Sequence, residues 1–214
     1  MQSQYFRVKH EKNSSITIKL LQGHFATSSV HTNHYLDMSE LKYNARIARD
    51  VAKELASPYL SNTLVDTIVC VERTAVIGAY LAQELARTGF TALNGDSSNI
   101  HVVTPMQNIN AKLTFHTSML EWITNRNVIL LIPSVSSGRT IDRAKECVTY
   151  YSGQVVGISA LFMALPNAME KEVNALFTSD DISGYRVFNA GNCEMCKAGQ
   201  GLSALVSSEG YTRI

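Results

Sequence analysis

The chain has 214 residues, 45% hydrophobic and 17% charged, enough to bury a substantial core as one domain or one domain with an appendage. Nineteen basic residues against eighteen acidic ones leave a net charge of +1, dispersed along the chain, so neither a nucleic-acid surface nor a basic membrane-binding face is expected. Four cysteines do not make a disulfide scaffold, and no apolar run approaches the length of a membrane span.

Residues 1–12 are polar and do not form a signal peptide, which makes a soluble, cytoplasmic protein the expectation. Residues 1–37 read as an irregular N-terminal segment containing one strand, residues 15–21 (SITIKLL), and then a polar loop with aromatic anchors over residues 23–35. His24, His31 and His34 invite a metal reading. Their spacing fits no helix face and only Asp37 lies near, so hydrogen-bonding loop histidines are expected instead. Residues 39–57 predict a helix with Leu41, Ala45, Ala48, Ala52 and Leu55 on one side, ended by Pro58. Residues 67–71 (TIVCV) predict a buried strand, 72–75 a turn, and 76–87 a helix closed by Gly89. Short strands are expected at 90–93 and 100–103, with a turn at 94–98 between them. Residues 104–127 read as a loop followed by a short packed element.

Residues 128–141 (VILLIPSVSSGRTI) carry the most information. A continuous apolar run gives way to small hydroxyl residues and a glycine, and Ile141, Ala144, Val148 and Tyr151 then recur at helical spacing. Strand, small turn and helix N-terminus aim backbone N–H groups and a positive helix end at an anion. The same turn also suits an ordinary helix start capped by its serines. Residues 154–164 predict a long apolar strand, and 173–177 and 185–189 two more. Strand and helix alternate from 39 to 164, which argues for an α/β fold with a largely parallel sheet. Ligands bind such sheets at the carboxyl ends of the strands, where residues 72–75 and 136–140 both fall.

Three segments in this order make the chain similar to the type I phosphoribosyltransferases, and most of all to the orotate phosphoribosyltransferase group. Residues 23–37 (GHFATSSVHTNHYLD) resemble the group's N-terminal base-binding segment, residues 65–85 its strand–loop–helix unit, and residues 128–141 its phosphoribosyl-diphosphate (PRPP) motif. The tail from Cys193 to Gly199 (CEMCKAG) resembles a cysteine-pair tail of some members. The resemblance implies a single domain over 1–214: an N-terminal hood and base-binding segment (1–37), an α/β core (38–192) and a tail (193–214). It implies that Ser136, Ser137, Gly138, Arg139 and Thr140 hold the ribose 5-phosphate, and that Glu72, Arg73 and Thr74 form the pyrophosphate loop. Phe25, Thr27, Ser28 and Ser29 would line the base side. Residues 104–118 would form a mobile hood loop reaching a neighbouring subunit in a homodimer. The implied ligands are PRPP with Mg²⁺, a nucleotide and a pyrimidine-like base.

The chain departs from that pattern at the chemistry. The adjacent acids that hold the ribose hydroxyls and help place Mg²⁺ correspond to Ile132 and Pro133, or to Pro133 and Ser134 with the loop counted one residue longer. Losing one preorganised electrostatic group commonly costs about 10²–10³ in rate. Between residues 100 and 127 the only Lys or Arg residues are Lys112 and Arg126, so Lys112 and His116 are the candidates for stabilising a pyrophosphate leaving group. Val30 stands where a glycine is usual. Two readings follow: a transferase with a modified ribose site, or a catalytically silent nucleotide- or PRPP-binding protein of the same fold. Cys193 and Cys196 have the spacing of half a zinc site or of a redox pair. With no second Cys/His pair nearby in sequence, the expectation is a tight turn of reduced thiols without metal, although two subunits could share an ion.

Overall fold

Residues 127–135 alternate side chains between two apolar environments, and this makes their strand the centre of the molecule. The computed structural model describes residues 5–88, 99–108, 112–164, 172–207 and 210–214. The strands are β1 (Phe6–Lys9), β2 (Thr17–Ala26), β3 (Val30–Asp37), β4 (Thr67–Cys70), β5 (His101–Val103), β6 (Met106–Gln107), β7 (Leu113–Thr114), β8 (Asn127–Val135), β9 (Gln154–Met163), β10 (Asn174–Thr178), β11 (Val187–Asn189), β12 (Ala204–Ser207) and β13 (Gly210–Arg213). The helices are α1 (Ser39–Tyr43), α2 (Ala45–Ala56), α3 (Ala75–Thr88), α4 (Arg139–Tyr150) and α5 (Glu194–Lys197).

The main sheet has the order β10-β9-β8-β4-β5, with every pair parallel. Ile68, Cys70, Ile129 and Leu131 point into one core with α2 and α3; Val69, Val128, Leu130 and Ile132 point into the other with α4. Burial on both faces explains why β8 is continuously apolar. This is the expected α/β architecture.

The N-terminal segment departs from the sequence reading. Residues 23–35 are not a loop: β2 and β3 form an antiparallel hairpin with a register shift between Gln22 and Phe25. Its polar residues hide the alternation, because this sheet is covered by apolar residues only in part. The hairpin belongs to a second sheet of order β11-β3-β2-β12-β13, with β1 also on β2. Residues from both ends of the chain, with β11, β12 and β13 all from the C-terminal end, therefore build one hood. The helix expected over 39–57 is two helices. Asn44 breaks it with extended backbone, and its Oδ1 accepts from the N–H groups of Arg46 and Ile47 at 3.2 and 3.4 Å, capping α2. The strand expected at 90–93, the turn at 94–98 and the helix stop at Gly89 lie outside the described residues. Among the described residues no helix is long and apolar enough to cross a membrane.

Candidate functional site

β8 delivers the chain to the turn Ser136-Ser137-Gly138, and α4 begins at Arg139. Gly138 is the residue before the helix and adopts φ +78°, a left-handed conformation that glycine takes without steric strain. No side chain caps α4 at this position, so the serines are not its caps. The first helical bond runs from the Asp142 N–H to the Gly138 carbonyl at 3.0 Å, and the N–H groups before it face the turn.

The second turn follows β4 in the strand beside β8. Glu72 and Arg73 both have positive φ, +49° and +66°, which costs a non-glycine residue on the order of 1–2 kcal/mol. Thr74 pins the turn: its buried hydroxyl donates to the carbonyls of Val71 at 2.9 Å and Leu131 at 3.1 Å. Strain held in place by buried hydrogen bonds at a strand end is a mark of a functional turn.

A two-lobed cleft lies between these turns and the hood. One lobe, of about 350 Å³, is lined by Ser136, Ser137, Gly138, Arg139 and Thr140 together with Ser28, Ser29 and Arg143. The other, of about 240 Å³, reaches under the hood to His34, Tyr35, Lys42, Arg73, Pro133 and Tyr185. Thr27, Glu72, Ser134, Ser136, Val206 and Ser207 line both and make them one space. Lys42, Arg73, Arg139 and Arg143 face Glu72 as the sole lining carboxylate among the described residues. In a chain of net charge +1 this is a local excess of positive charge, suited to an anion.

Burial shapes the titration of these groups. It lowers the Lys42 ammonium pKa from its ordinary value, with Glu72 pulling it back up and Arg73 pushing it down. Burial also raises the Glu72 carboxyl, opposed by Lys42. Desolvation lowers His34 and raises Tyr35 and Tyr185. The His34 ring stacks on Tyr185 at 6.1 Å, and Tyr185 meets Phe162 edge-on at 5.2 Å, giving the inner lobe an aromatic wall.

The residues singled out in the sequence do not all meet there. Thr74 is buried beneath its turn rather than on the cleft. Phe25 is 1% exposed and packs against Tyr35 and Tyr211 inside the hood. Ile132 is fully buried in the α4-side core, so of the three residues at the altered acid positions only Pro133 and Ser134 reach the cleft. Lys112 lines a separate cavity with Arg143, Cys147 and Tyr150. The His116 ring accepts from the Ser118 N–H at 3.3 Å and starts the 3₁₀ turn Thr117–Trp122. Neither lines the cleft of its own chain. Lys42, Arg143, Tyr185 and the residues of β12 and β13 went unread, because nothing in their local sequence marks them as neighbours of the turns.

No protein-family model matches the chain. An orotate phosphoribosyltransferase of Wolinella succinogenes is 24% identical over 193 residues, covering 84% of this chain and 87% of the relative. Adenine phosphoribosyltransferase of Thermoanaerobacter pseudethanolicus superposes with a TM-score of 0.50 at 14% identity, over 81% of this chain and 95% of that one. UMP synthase of Leishmania donovani superposes with a TM-score of 0.52 at 20% identity, over 74% of this chain and 33% of that one. The fold is that of the type I phosphoribosyltransferases. The resemblance read in the sequence is therefore one of architecture, shared with proteins named for different bases, and phosphoribosyltransferase architecture alone does not choose a substrate.

Proposed function

We propose that the cleft binds a 5-phosphorylated ribose, as PRPP or a nucleoside monophosphate, and that the chain is a ligand-binding relative of the phosphoribosyltransferases. The observation that carries the proposal is the turn between β8 and α4, with left-handed Gly138, no side-chain cap and two arginines beside it. Its phosphate end lies on Ser136, Ser137, Gly138, Arg139 and Thr140, and a pyrophosphate would lie toward Glu72 and Arg73. Of the residues expected on the base side, Thr27 lines both lobes, whereas Ser28 and Ser29 line the phosphate lobe. Binding without catalysis is the reading supported by Ile132 and Pro133: one is sealed in the core, and the other carries no charge into the cleft.

Mg²⁺ prefers carboxylate oxygens, and the described lining offers one carboxylate, held toward its neutral form by burial. These residues fit a protein-held Mg²⁺ poorly; the ion would come with the ligand's own phosphates. Lys112 and His116 stand off the cleft, so this reading gives neither of them a contact with the pyrophosphate. Calorimetric titration with PRPP and with uridine 5-monophosphate tests the proposal: at least one should bind, and PRPP should release no pyrophosphate with a panel of bases.

A specific observation favours a second reading. The Glu72 carboxylate lines both lobes beside Ser134, so an acid from β4's end reaches the region that the missing pair would occupy. Base-dependent release of pyrophosphate, abolished by Glu72→Gln with little change in PRPP affinity, would establish a transferase with a relocated acid. No release at high enzyme concentration would exclude it.

A further inference from the structure

The hood holds a second cluster, independent of the cleft reading. The side chains of His24, His31, Cys193 and Cys196 bring one ligand atom each to within 4.8 Å of all the others. From this geometry we propose that each chain carries a structural zinc ion bound by these four residues.

The distances support it. Tetrahedral zinc with Zn–N and Zn–S bonds near 2.1 and 2.3 Å places two nitrogens roughly 3.4 Å apart and nitrogen and sulfur roughly 3.6 Å apart. Here His24 Nε2 lies 3.0 Å from His31 Nδ1 and 3.5 and 3.7 Å from the sulfurs of Cys193 and Cys196. His31 Nδ1 lies 3.4 Å from the Cys196 sulfur. Both cysteines are free thiols.

The surroundings orient the ligands. His24 Nδ1 is 2.9 Å from the Gln200 carbonyl, which can only accept, so Nδ1 carries the proton and the Nε2 lone pair points into the cluster. The Ser203 N–H donates to the His24 carbonyl at 2.7 Å, and the His24 N–H donates to Ser203 Oγ at 3.0 Å, fixing the strand at that point. Cys193 and Cys196 stand at the start and in the third position of the one-turn helix α5. His24 is fully buried and Cys193 is 2% exposed, whereas His31 is half-buried and Cys196 exposed. Two thiolates and two neutral imidazoles leave a Zn²⁺ centre uncharged, which suits a half-buried site. On binding, two Zn–S and two Zn–N bonds form and each thiol releases its proton to solvent. Four protein ligands close the coordination sphere, the arrangement of a structural rather than a catalytic ion.

The ion would tie together segments more than 160 residues apart. It clasps the hairpin just below the tip that carries Thr27, Ser28 and Ser29, where Ala26 pairs with His31, and it anchors the tail that continues into β12. That strand pairs with β2 at only two positions, Ala204 with Phe25 and Leu205 with Ala26.

The test is metal analysis of untagged protein purified under reductant, followed by competitive Zn²⁺ titration against a chromophoric chelator. One zinc per chain is expected, with Co²⁺ substitution giving the visible absorption of a tetrahedral cobalt–thiolate centre. Cys196→Ser and His31→Ala, at accessible positions, should each weaken Zn²⁺ binding at least tenfold, and Cys147→Ala should leave it unchanged. Reduced, folded wild-type protein that takes up no Zn²⁺, or a Cys196→Ser variant that binds it as tightly as wild type, would overturn the proposal.

Discussion

Replacing Gly138 separates backbone strain from ligand contact, the two effects expected at the phosphate turn. At φ +78° an alanine is disfavoured by about 1–2 kcal/mol. For a chain of this size each kcal/mol lowers Tm by roughly 2–4 °C, so Gly138→Ala should melt about 2–8 °C below wild type. Asparagine tolerates the left-handed region, and Gly138→Asn should melt closer to wild type. Both add a side chain at a cleft-lining position and hold a phosphate off the N–H groups of α4. Loss of one charge-assisted hydrogen bond is worth about 1.5–3 kcal/mol, or roughly 10- to 150-fold in Kd. Differential scanning fluorimetry reads the first effect and calorimetry with PRPP the second. A Gly138→Asn protein that binds PRPP with wild-type affinity would refute the placement of phosphate on this turn.

Lys42 holds its charge in a half-buried setting that disfavours it, so Lys42→Met should raise the melting temperature of the ligand-free protein at neutral pH. The same variant should weaken PRPP binding roughly tenfold or more, since it removes a cation from the inner lobe. A Cβ on Gly78 would overlap the Cys70 sulfur and crowd Val102 Cγ1 at 3.2 Å, so Gly78→Ala should destabilise by about 1–3 kcal/mol in urea melts. In a Cys70→Ala background the penalty should largely vanish, a coupling that a double-mutant cycle measures directly. Both positions of the altered pair are buried, but only Pro133 opens on the cleft, and restoring acids there should split accordingly. Ile132→Asp puts a carboxyl into a closed core and should unfold or severely destabilise the protein, while Pro133→Asp should fold, as circular dichroism will show.

What the sequence revealed depended on how far apart the interacting residues lie along it. Strand β8, its turn and α4 are contiguous, and an apolar run followed by Ser-Ser-Gly and a helical period exposes all three. The parallel sheet follows from repeated strand–helix alternation. The resemblance implied an N-terminal hood over 1–37, but not its sheet, because β2 and β3 are completed by β11, β12 and β13 from the other end of the chain. The break at Asn44 was masked by an apolar period that continues across it. His24 and His31 were weighed as metal ligands without their partners, and Cys193 and Cys196 were weighed as half a site. The topology that unites them is not a local property. Lys112 and His116 carry charge in a cation-poor loop, and charge alone does not say whether a loop reaches the cleft.

The account stands most directly on calorimetric titration of the full chain with PRPP, with and without Mg²⁺. It predicts stoichiometric binding to wild type that is weakened at least tenfold in Gly138→Asn, with no pyrophosphate released on adding a base. Absence of binding by PRPP and by nucleoside monophosphates to folded wild-type protein would contradict it.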